Sequence, residues 1–192
     1  MMMGRRMFFL SAASLAGGLV YVGTRRTAPV EAGAVEGAAK EVNIVEFADD
    51  GTRKGVVRVP KVVKTDKEWR AQLSPLAYAV TRKEDTENAF SGKLWNLHDK
   101  GIYRCICCDT AVFSSETKFD SRTGWPSFWQ VIAKENVQLI EDHSFGLDRT
   151  AVACTRCDGH LGHLFDDGPN PTGLRYCMNS VSMKFVKSPT GA

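Results

Sequence analysis

Residues 150–157 read TAVACTRC, a short loosely alternating segment that runs directly into a Cys-x-x-Cys turn. Segments of the same kind recur as TAVFSS (110–115), WQVIA (129–133), VQLIED (137–142) and RYCMNSVSMKFV (175–186), with turn residues between them. A period of two puts successive side chains on opposite faces of a strand, so this spacing predicts an antiparallel β domain rather than a helical one. The turn that closes 150–157, Cys154-Thr155-Arg156-Cys157, has a counterpart in Cys105-Ile106-Cys107-Cys108, separated from it by 45 residues. Two such turns direct four thiolates to one point, which suits a single tetrahedral zinc ion held by Cys105, Cys108, Cys154 and Cys157. Two disulfides are the alternative pairing. A mixed site that recruits His160 or His163 is another.

Upstream, the pattern is different. Thr65-Asp66-Lys67-Glu68 predicts a helix start, with Thr65 or Asp66 as the cap ahead of Trp69, Leu73 and Leu76, and a second short helix over Pro75–Thr81. Val42–Val63 predicts an arm of one or two strands, and residues from about 23 to 40 read as a linker rich in Ala, Gly, Thr and Glu. The chain opens with Arg5-Arg6 followed by an apolar run from Met7 to about Val22, the charged head and hydrophobic middle of an export leader. Arg5-Arg6-Met7-Phe8-Phe9 resembles a twin-arginine export signal, and Ala32-Gly33-Ala34 offers a small-residue cleavage site. The expected organisation is therefore a signal over 1–34, an arm over 35–60 and a domain over 61–188, exported to a bacterial periplasm. An uncleaved N-terminal anchor is the alternative fate of the leader.

Charge excludes some partners. Residues 1–40 hold five basic and two acidic side chains, which is the whole net charge of +3, and the remaining 152 residues balance at 20 of each sign. No positive field is left over for nucleic acid.

The sixth cysteine lies in Arg175-Tyr176-Cys177-Met178-Asn179-Ser180. Read as one continuous strand, this segment puts Arg175, Cys177 and Asn179 on a common face, followed in phase by Val181, Met183 and Phe185. A neighbouring guanidinium favours the thiolate, the form that attacks sulfur centres. A buried, inert cysteine is the plainer reading of the same residues. Gly124-Trp125-Pro126-Ser127-Phe128-Trp129 gathers aromatics around a proline that stiffens Trp125, and Gly159-His160-Leu161-Gly162-His163 sets two imidazoles among glycines.

Together these segments, with Thr86-Glu87, Lys118-Phe119-Asp120-Ser121 and Gly173-Leu174-Arg175-Tyr176-Cys177, resemble the B-type methionine sulfoxide reductases, which act on the R epimer. The resemblance spans roughly Trp69 to Phe185. It implies two antiparallel sheets with a few peripheral helices and a distal zinc. It implies an oxidoreductase for protein repair under oxidative stress, with Cys177 as nucleophile, passing through a sulfenic acid. Trp125 and Phe128 would bind the substrate, His160, His163 and Asn179 would handle the sulfoxide oxygen, and Arg175 would support the thiolate. The partners it implies are oxidised proteins carrying methionine-R-sulfoxide and a thioredoxin-like or other thiol reductant, with the chain a monomer. The chain departs from the family at Thr123, where many members carry a resolving cysteine. Cys107 is then the one internal candidate for that task, and direct reduction of Cys177 by an external thiol is the favoured cycle. Two other functions compete: a zinc-bound interaction module with an inert Cys177, and a thiol–disulfide oxidoreductase working through the Cys-x-x-Cys turns.

Overall fold

The computed structural model describes residues 40–143 and 148–189. The export leader and its cleavage site lie outside these residues, and no helix among them is long and apolar enough to cross a membrane.

The domain is mainly β. A hairpin of β1 (Glu41–Phe47) and β2 (Arg53–Pro60) precedes two short helices, α1 (Asp66–Gln72) and α2 (Pro75–Lys83). Nine strands follow: β3 (Gly101–Cys105), β4 (Ala111–Ser114), β5 (Lys118–Phe119), β6 (Ser127–Phe128), β7 (Val137–Asp142), β8 (Arg149–Cys154), β9 (His160–Phe165), β10 (Arg175–Met178) and β11 (Met183–Lys187). They form a six-stranded antiparallel sheet in the order β5-β6-β10-β9-β8-β7 and a three-stranded one in the order β11-β3-β4.

Local chemistry accounts for the helices. Thr65 caps α1 and shares a capping box with Glu68, so reciprocal bonds satisfy two free amides of the first turn. Ser74 caps α2 and Pro75 occupies its first turn, where a missing N–H costs nothing. Trp69 is buried beneath the pair, with the Arg82 guanidinium 4.7 Å above its ring. Burying such a ring contributes about 2–3 kcal/mol. The helices also brace the cysteine turns: Gln72 Nε2 donates to the Cys107 carbonyl and Arg82 Nη1 to that of Cys157, each at 2.8 Å.

The core lies between the sheets. Phe128 stacks on Phe113 with ring centroids 4.4 Å apart and meets the edge of Tyr103 at 4.9 Å. Met178 and Met183 are buried in the same cluster. A smaller cluster of Val45, Phe47, Ile102 and Ala111 seats the hairpin. Asn136, wholly buried, clamps it there: Oδ1 accepts from Val45 N at 2.7 Å, and Nδ2 donates to Val45 O at 2.9 Å and Ala111 O at 2.7 Å.

One expectation needs correction. Residues 175–186 are not a single strand. β10 stops at Met178, a 3-10 turn covers Ser180–Ser182, and β11 belongs to the other sheet. The chain changes sheets here, so the alternation does not carry through.

Candidate active site

Strand register builds the site. β10 lies between β6 and β9, and Cys177 pairs across to Ser127 on one side and His163 on the other. Directly opposed residues share a face of a sheet. Ser127, Cys177 and His163 therefore share one face, and Phe128, Tyr176 and Leu164, which pair in the next row, share the other. Close approach of β9 to β10 requires Gly162, where an added Cβ would lie 2.1 Å from the Cys177 carbonyl oxygen.

A cleft of about 160 Å³ opens over that face, lined by Thr86, Trp125, Arg149, His163, Cys177 and Asn179 among others. The Cys177 thiol is half-buried, and Thr123 Oγ1 stands 3.9 Å from its sulfur. A chain of hydroxyls continues from Thr123 to Ser121 at 2.8 Å and on to Ser127 at 2.7 Å. Burial pushes the Cys177 thiol above its ordinary range, while the Arg175 charge and the Thr123 and Ser127 hydroxyls pull it down without offsetting the burial. The free protein thus holds a thiol at neutral pH. Arg175 forms a bidentate pair with Asp167, both bonds at 2.8 Å, and its guanidinium lies 4.3 Å from the centre of the Phe165 ring. His163 Nε2 lies 2.9 Å from Asp142 Oδ2, which also accepts from Arg149 Nη2 at 2.7 Å. A carboxylate only accepts, so that bond places the imidazole proton on Nε2.

Two of the expected site residues do not line the cleft. Phe128 is wholly buried and points from the face of the sheet opposite Cys177. His160 does not line the cleft. It is buried with its ring 5.2 Å from that of His163, and burial first, then the nearby His163, lowers its pKa to about 4, so it is neutral at physiological pH.

The cysteine turns lie elsewhere. Cys105 ends β3 in the smaller sheet and Cys154 ends β8 in the larger, and each turn closes on an aspartate, Asp109 or Asp158, in the left-handed region. The sulfurs of Cys105, Cys108, Cys154 and Cys157 lie within 4.8 Å of one another, with Cys105–Cys157 at 3.6 Å and Cys108–Cys154 at 3.4 Å. All six cysteines are free, and these separations far exceed the ~2.05 Å of an S–S bond. They approach the ~3.8 Å edge of a tetrahedron with metal–sulfur bonds of ~2.3 Å. The set fits a metal ion of that kind. Neither histidine belongs to it. Cys107 is buried against the same cluster: its sulfur would lie 3.4 Å from a Cβ at Gly159, closely matching Cys157 at 3.3 Å.

Comparison with known proteins places this architecture. The SelR domain profile matches residues 73–187. The chain belongs to the SelR domain family. It is 53% identical over 129 residues to the peptide methionine sulfoxide reductase MsrB of Herminiimonas arsenicoxydans, covering 67% of this chain and 94% of that one. It is 56% identical over 121 residues to the protein of that name from Thioalkalivibrio sulfidiphilus, covering 63% and 88%. To the mitochondrial methionine-R-sulfoxide reductase B3 of Mus musculus it is 50% identical over 126 residues, covering 66% and 50%.

Within this SelR domain, sequence reasoning found Cys177, His163, Asn179 and Trp125, which the structure gathers in one cleft. It missed Asp142, which holds His163 and accepts from Arg149, and Asp167, which pairs with Arg175. Their acidic type is common on any surface, so no local signal marks them.

Proposed function

We propose that this SelR domain reduces methionine-R-sulfoxide in proteins, using the Cys177 sulfur as the nucleophile. The supporting observation is the single cleft in which a half-buried thiol, an imidazole backed by a carboxylate, a side-chain amide and an indole converge. Its relatives are named for the same activity. A sulfoxide carries a positive sulfur and a negative oxygen. Trp125 presents its ring to the S-methyl group, and an Asn179 N–H and His163 meet the oxygen. As the substrate binds, the Cys177 thiol gives its proton to the His163 ring nitrogen that Asp142 leaves free. The thiolate attacks the sulfoxide sulfur, forming an S–S bond, and the His163 imidazolium, held by Asp142, gives that proton to the oxygen, which leaves as hydroxide. The hydroxide then attacks the Cys177 sulfur and breaks the S–S bond, so two electrons have passed from Cys177 to the substrate, leaving methionine and a sulfenic acid on Cys177. Arg175, fixed by Asp167, favours the thiolate.

Thr123 carries no thiol, and Cys107 is buried at the metal cluster rather than in the cleft. An external thiol of the thioredoxin kind therefore condenses with the sulfenic acid, releasing water, and a second thiol frees Cys177. Zinc, held by Cys105, Cys108, Cys154 and Cys157, ties the sheets together and takes no part in the reaction. The twin arginines and apolar run of residues 5–22 support export to a bacterial periplasm.

The test is reduction of a peptide containing each methionine sulfoxide epimer, with dithiothreitol, by the wild type and Cys177→Ser. Turnover of the R epimer alone, abolished by the substitution, is expected. No turnover of either epimer by folded protein would sink the reading.

A further inference from the structure

Glu87 is 2% exposed, and among the described residues no cationic side chain pairs with it. A buried carboxylate is costly unless hydrogen bonds occupy its oxygens. Here Oε1 accepts from Ser180 N at 2.6 Å and Oε2 from Val181 N at 3.1 Å. These are the first two amides of the 3-10 turn that follows the Cys177 strand. The carboxylate therefore fills the place that a capping side chain ordinarily takes.

The residue at the cap position is Asn179, a good capping type, yet its side chain makes no cap bond. Its Oδ1 instead accepts from Glu87 N at 2.9 Å, and its Nδ2 donates to Leu161 O at 3.2 Å. An amide NH₂ carries two donors, so one N–H is left for the cleft that Asn179 lines. The remaining polar group of Glu87, its carbonyl, accepts the indole N–H of Trp125 at 3.1 Å. That is the ring's sole donor. The arrangement has no slack. A Cβ at Gly92 would fall 2.6 Å from Glu87 Oε1, so the carboxylate is boxed in.

We infer that Glu87 is the positioning residue of this site. Its carboxylate relieves Asn179 of capping the turn, and its main chain sets the Asn179 amide and the Trp125 ring around Cys177. The inference rests on the reductase reading for its consequence in turnover, while its geometric part stands apart from that reading. Glu87→Gln keeps the shape but turns an NH₂ toward a backbone N–H, which loosens the turn and the loop that carries both main-chain contacts. Small displacements of this kind cost turnover steeply.

The experiment follows the indole N–H resonances of the full chain, which has four tryptophans, with the Trp125 signal assigned by its loss in Trp125→Phe. In Glu87→Gln the Trp125 signal should move while the other three hold. Turnover of the R-sulfoxide peptide should fall about 10- to 100-fold, mainly in kcat, with Cys177 alkylation by a small reagent changed less than about twofold. Glu87→Asp, whose carboxylate falls short of the turn, should show the same selective shift and serves if the amide variant does not fold. A stationary Trp125 signal or unchanged turnover overturns the inference. So does movement of all four signals together with altered alkylation, the mark of general loosening. A wild type inactive on both epimers would instead defeat the reductase reading and leave the indole shift to be read on its own.

Discussion

At the scale of single residues, the neighbour of Cys177 that matters most for its fate is Thr123, whose hydroxyl lies 3.9 Å from the sulfur. A thiol in that place is within reach of a disulfide after a change of rotamer. Thr123→Cys should therefore convert the cycle: after one equivalent of methionine-R-sulfoxide, mass spectrometry of the variant should find a 123–177 cross-linked peptide, where the wild type yields a trappable sulfenic acid. Absence of the cross-link would mean that the hydroxyl chain from Ser127 through Ser121 holds position 123 turned away. The reactive types at this scale were readable from sequence alone, because a lone cysteine, two histidines and a proline-stiffened tryptophan are conspicuous. Which of them face the cleft was not. Ser127 and Phe128 are adjacent in the chain, and only the pairing of β6 with β10 turns the first toward Cys177 and the second into the core. Such pairing joins residues some 50 positions apart, and no local pattern encodes it.

Among the elements, helix ends were the most readable. Thr65 and Glu68 form a box whose spacing is a property of four consecutive residues, and Pro75 marks the first turn of α2 in the same local way. The segment after Cys177 misled because its alternation persists through a change of sheet. The hairpin of β1 and β2 was visible as alternating segments, but its attachment was not. Two strands alone are marginal in water, and this pair depends on Asn136 beneath it. Asn136→Ala strips three buried main-chain groups of their partners. At roughly 1–3 kcal/mol for each unsatisfied group, the variant should lose about 3 kcal/mol or more, read as a lower urea midpoint. An unchanged midpoint would show that the hairpin contributes little to the cooperative unit.

For the whole molecule, the four-cysteine cluster joins the smaller sheet at the end of β3 to the larger at the end of β8. The cluster also meets both helices through Gln72 and Arg82. A metal there constrains chain segments 45 residues apart, and its binding energy becomes folding energy. Removal by a chelator should lower the melting temperature by on the order of 10 °C or more. Activity should fall in parallel with folded protein and return when zinc is restored. Full activity and an unaltered melting temperature in metal-free protein would count against a bracing role.

The burial of Met178 and Met183 has a bearing on endurance. The sequence holds six methionines, of which four fall within the first seven residues. The other two are 0% and 4% exposed. A protein that works among oxidants and reverses their effect on thioethers offers them none of its own from the packed domain. It keeps its shape under the very conditions that create its substrates, and a folded copy has little need of rescue by another.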